Sequence, residues 1–122
     1  MDREVSGGFV VREKKLLMVE SEDGWTVPSK ISEPGEISSD TARKAVENVS
    51  GLDCTVRKFK SRLKTTYVQN GEDYSWKPYA VEIESEEAVE TENGEWVPVK
   101  ELPELELVPP LEKTAEEVVD RI

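Results

Sequence analysis

The chain has 122 residues, of which 35% are charged and 36% hydrophobic, with 27 acidic side chains against 16 basic ones and a formal net charge of −11. That length suits one domain spanning residues 1–122 around a single core. The acidic balance argues against non-specific DNA or RNA binding and against an anionic membrane surface, both of which need cationic surface. The longest apolar run, Leu16-Leu17-Met18-Val19, is far short of a membrane span. The charged N-terminus carries no signal-peptide core, and Cys54 is the only cysteine, so no intramolecular disulfide is available. These features lead to the expectation of a soluble, cytoplasmic protein. There is no histidine, which excludes histidine-ligated metal sites and histidine-dependent triads.

Along the chain, Val5 to Val11 reads as a first strand, with Gly7-Gly8 marking a close backbone approach. Glu13-Lys14 turns the chain into the buried-type run Leu16 to Val19. A polar turn, Ser21 to Gly24, precedes a short extended piece containing Trp25, Val27 and Pro28. Ser29 to Gly35 reads as a loop punctuated by Pro34-Gly35.

A helix follows, with Ser38 or Ser39 available as N-cap and Asp40 favourable at the positive end of the dipole. Ile37, Thr41, Ala45 and Val49 recur at every fourth position, with Ala42, Val46 and Leu52 beside them, which makes one apolar face. Gly51 is the expected C-terminal stop.

Cys54 to Gln69 and Asp73 to Ser85 read as two long strands joined by the hairpin loop Asn70-Gly71-Glu72. Lys58, Lys60, Arg62 and Lys64 alternate with Phe59, Ser61 and Leu63. A three-residue loop sets Lys60 opposite Glu82, Lys58 opposite Glu84 and Phe59 opposite Ile83. Glu84 to Glu92 is an acidic, solvated stretch, and Asn93-Gly94 turns into a short strand, Glu95 to Val99. Leu111 to Ile122 is a final amphipathic helix. The predicted class is α/β (α+β), a mixed β-sheet with flanking helices and no alternating doubly wound order.

Trp25-Thr26-Val27-Pro28, Glu33-Pro34-Gly35-Glu36 and Gly51-Leu52 together resemble the Nudix family, whose box follows Gly-x5-Glu-x7-Arg-Glu-U-x-Glu-Glu-x-Gly-U, with U aliphatic. Without gaps the degenerate box here runs from Lys30 to Leu52. Glu36, Val46 and the closing Gly51-Leu52 agree with the pattern. Lys30 stands for the leading Gly, Lys44 for the Arg, Ala45 for the following Glu, and Asn48-Val49 for the Glu pair. The resemblance implies a Nudix-like α/β/α sandwich and, for the family, a Mg- or Mn-dependent hydrolase of nucleoside diphosphate derivatives. In the family the helix carboxylates hold the ion, which binds the pyrophosphate and helps to activate water. Such ions are hard and need several oxygen ligands, usually including two carboxylates. Ala45 and Val49 offer none, and Asn48 offers one neutral oxygen.

Three readings follow. In the first, the chain is a non-hydrolytic module that binds a nucleoside-diphosphate-like small molecule or a partner in the old substrate cleft, with no cofactor. Lys30, Lys44, Trp25 and Trp76 are its candidate ligand residues, because lysines neutralise phosphate and indoles stack on bases. In the second, it remains a pyrophosphohydrolase, with relocated Mg or Mn held by Glu36, Glu47 and a downstream acid such as Glu95. In the third, it is an interaction domain, such as a homodimer, with no small ligand.

Overall fold

The computed structural model describes residues 3–22, 24–60, 63–84 and 94–112. Among them are nine strands in two sheets, the α-helix Ser38–Ser50, a 3-10 helix and the first turn of a further helix at 109–112. The first sheet contains β1 (Arg3–Phe9), β5 (Ser29–Ile31), β6 (Cys54–Phe59), β7 (Thr65–Gln69) and β8 (Glu72–Ile83). Its order is β5-β1-β8-β6, with β7 also paired to β8. The β1–β8 pair is parallel and its other pairs are antiparallel, so the sheet is mixed. The second sheet joins β2 (Val11–Arg12), β3 (Lys15–Ser21), β4 (Gly24–Thr26) and β9 (Glu95–Pro98) around β3.

Alternation explains which faces are covered. On β1, Val5 and Phe9 enter one core cluster with Trp76, Leu16, Met18, Val27 and Leu63. Val10 joins a second cluster with Leu17, Val46, Cys54, Val81 and Ile83, against which α1 (Ser38–Ser50) packs. The two glycines expected to allow close approach do so on opposite faces. A Cβ on Gly7 would run into the Trp76 ring, and one on Gly8 into Val46 of α1.

Local turn chemistry agrees with the sequence. Glu13 and Lys14 both have positive φ, 51° and 63°, and close the β2–β3 hairpin. Gly51 ends α1 in the left-handed region at φ 72° and donates its N–H to the Glu47 carbonyl.

Several expectations need correction. The first strand ends at Phe9, because Val11 crosses to the second sheet. Ser29 to Gly35 is not all loop: Ser29–Ile31 pairs with β1, and three residues are too few to show a period. The cap of α1 is Ile37, with no side-chain cap bond. The Ser38 hydroxyl is instead hydrogen-bonded to that of Tyr79.

The long hairpin also differs. Its loop is two residues, Asn70-Gly71, with φ 51° and 79°, and Gln69 pairs with Glu72. A two-residue turn with positive φ at both positions matches strand twist, which makes it the favoured hairpin. The incoming strand is broken after Phe59 and carries a bulge between Val56 and Lys58. Phe59 therefore faces Tyr79 rather than Ile83, Lys58 faces Ala80, and Glu82 faces Thr55 while its carboxylate accepts from Arg57 at 2.7 Å. The expected acidic stretch beyond Glu84, and all but the first turn of the final helix, lie outside the described residues. No helix among the described residues is long and apolar enough to cross a membrane.

Candidate functional site

The loop that leads into α1 is organised by Glu36. Its Oε1 accepts from the Thr41 hydroxyl at 2.7 Å and from the Glu33 N–H at 3.2 Å. Its Oε2 accepts from Lys44 Nζ at 2.8 Å. Lys44 leads in holding the carboxyl at a pKa of about 2, helped by Thr41 and the Glu33 N–H. Thr41 is fully buried and also shares a hydrogen bond with Ser32 at 3.0 Å. The single Ser32 O–H has an alternative acceptor in Glu4 Oε1 at 3.3 Å, and the other Glu4 oxygen meets Lys77 Nζ at 2.9 Å. A row of polar groups thus runs from β8 through β1 to the helix and reaches Glu36 Oε1 through Thr41, while Lys44 holds Oε2.

The other box positions lie further along α1. Ala45 is 4% exposed. Val49 packs against the second core cluster, close to the backbone of Gly94, where an added Cβ would sit 2.9 Å from Val49 Cγ1. Asn48 points to solvent. Glu47 is engaged by Arg43, one turn earlier, at 2.7 Å. Glu95 lies exposed on β9, opposite Met18. Among the described residues no three His, Cys, Asp or Glu side chains are grouped to hold a metal ion. Around the box helix, Glu36 is tied to Lys44, Glu47 to Arg43, Asn48 is an exposed neutral amide, and positions 45 and 49 are hydrocarbon.

Of the four expected ligand residues, only Lys44 meets another candidate, and that is Glu36. Lys30 sits half-buried in β5, paired with Ser6 of β1. Trp25 is half-buried and laced by its backbone to residues 106–108: its N–H donates to the Glu106 carbonyl at 2.7 Å, and its carbonyl accepts from Val108 at 3.1 Å. Trp76 is a correction. At 1% exposure, edge-on to Phe9 and wedged over Gly7, it offers no face for a base. Two cations outside the expected ligand set, Arg12 and Lys60, border the same cavity. They are 48 positions apart in the sequence, so no local motif joins them.

No protein-family model matches the chain, and no curated protein does. Solved structures do. A Nudix hydrolase from Nitrosomonas europaea superposes with a TM-score of 0.80 at 15% identity, covering 99% of this chain and 90% of that one. An Ap4A hydrolase from C. elegans gives 0.77 at 14% identity, covering 99% and 98%. An ADP-ribose pyrophosphatase from Streptococcus suis gives 0.66 at 16% identity, covering 99% and 92%. The mixed sheet, the helix that follows the Trp25 to Pro28 segment, and these superpositions agree: the chain has the Nudix hydrolase fold.

Proposed function

We propose that this Nudix-fold chain is a non-hydrolytic module that binds a nucleoside-diphosphate-like ligand in the cleft beside the box helix. The observation that carries the reading is the state of the helix itself. Ala45 and Val49 are packed as hydrocarbon, and Glu36 is bound on both oxygens by Lys44, Thr41 and the Glu33 N–H. A hard divalent ion placed there would meet few anionic oxygens to offset its dehydration. In this reading Trp25 and Lys30, both half-buried, supply an apolar edge for a base and a positive charge for a phosphate.

The names of the superposed structures favour the rival reading, a pyrophosphohydrolase. In that reading Glu47, 30% exposed in its side chain, leaves Arg43 to join a relocated site. The test is incubation with Mg²⁺ or Mn²⁺ and a panel of nucleoside diphosphate derivatives, with product measured directly. Binding by thermal shift without turnover is the expected outcome. Metal-dependent turnover lost in Glu36→Gln or Glu47→Gln would sink the proposal. Neither binding nor turnover would leave the interaction domain as the better reading.

A further inference from the structure

The parallel strands β1 and β8 run side by side from Arg3 opposite Tyr74 to Phe9 opposite Ala80, and then part. The chain after Phe9 turns into the second sheet: the Val10 carbonyl accepts from Leu17, and Val11 pairs with Leu16. β8 continues instead to Ile83, held by β6. Crevices at the carboxyl ends of parallel strands, where neighbouring chains depart in different directions, are recurrent ligand sites, because side chains and backbone groups converge there without filling the gap. Here that parting leaves a cavity of about 410 Å³, within the usual span for small-molecule sites.

Its lining is chemically divided. Phe9, Val11 and Ala80 provide apolar wall, while Arg12 and Lys60 bring positive charge to it. Arg12 is held in position by donating from Nη2 to the Ile83 carbonyl at 3.0 Å. Lys60 is anchored by its backbone N–H on the Pro78 carbonyl at 2.9 Å. Glu82, the acid on the rim, is paired with Arg57 at 2.7 Å, which offsets its charge. In a chain of net charge −11, Arg12 and Lys60 bring two positive side chains to one cavity, beside the acid Glu82.

We infer that this crevice binds a small organic anion, with its charged head at Lys60 and Arg12 and its apolar body against Phe9, Val11 and Ala80. No residue of α1 is among those that line it, so the inference does not rest on loss of hydrolysis at the box helix.

The test uses the full chain, isotope-labelled for NMR, titrated with naphthalene-2-sulfonate, which carries no phosphoryl group to hydrolyse. Sulfate and 2-naphthol are the controls, carrying the charge and the ring separately. Saturable amide shifts centred on Val10, Val11, Ala80 and Val81 are expected for the sulfonate. Lys60→Glu should weaken binding on the order of tenfold or more, as expected for loss of a charge-assisted contact, while Lys60→Arg retains it. Ala80→Leu narrows the cavity without touching either cation and should also weaken binding. Shifts centred on Trp25 and Lys30 instead, equal affinity for 2-naphthol, or indifference to Lys60→Glu would each overturn the assignment.

Discussion

Lys44 reaches back eight residues to place Nζ 2.8 Å from Glu36 Oε2, tying the second turn of the box helix to the loop before it. The pair sets a pH dependence. The Glu36 pKa falls from an ordinary 4.5 to about 2 on folding, so the unfolded chain binds the proton more tightly. The contribution to stability is complete above pH 4.5 and is lost as pH falls toward 2. In Lys44→Met the Glu36 pKa should rise toward 4.5 yet stay below it, because Thr41 and the Glu33 N–H remain. Carboxyl NMR titration of both proteins reads this directly, and an unmoved pKa would show that Lys44 is not the main cause.

Putting carboxylates back into the helix should separate two neighbouring positions. Asn48 is exposed, so Asn48→Glu should change stability by no more than about 0.5 kcal/mol. Val49 packs against the second core cluster beside Gly94, so Val49→Glu places a carboxylate among apolar groups and should cost about 1–3 kcal/mol. Urea unfolding at neutral pH distinguishes them, and equal midpoints would contradict the packing described for Val49.

The two glycines of β1 test the close approaches on either face. Gly7→Ala drives a methyl into the buried Trp76 ring, and Gly8→Ala drives one into Val46 and Val81. Each should destabilise by roughly 1–3 kcal/mol through overpacking. Replacing Gly8 should chiefly loosen α1, so amide exchange in that helix should accelerate more in Gly8→Ala than in Gly7→Ala.

Cys54 is buried beneath α1, where its thiol donates to the Arg43 carbonyl at 3.4 Å. Burial raises its pKa to about 11, with Glu47 adding to the shift. Since the thiolate is the nucleophile, iodoacetamide at pH 8 should label the folded protein very slowly and the urea-unfolded protein readily. Mass spectrometry after timed quenching reads both rates, and fast labelling of the folded chain would contradict the burial.

The sequence alone determined the elements whose causes are local. The apolar face of Thr41, Ala45 and Val49, the stop at Gly51, the turn at Glu13-Lys14 and the place, though not the length, of the hairpin turn at Asn70-Gly71 all depend on residues within a few positions of one another. These are the distances over which helix period, backbone φ preference and turn chemistry act. The tertiary structure alone decided the rest. The bulge after Val56 and the break after Phe59 moved the register, so that Phe59 faces Tyr79 and Glu82 answers Arg57. Packing against Gly7 turned Trp76 from a possible stacking surface into core. The parting of β1 and β8 brought Arg12 and Lys60 to one cavity. Each outcome depends on where distant strands pair and separate, and no short stretch of residues encodes that.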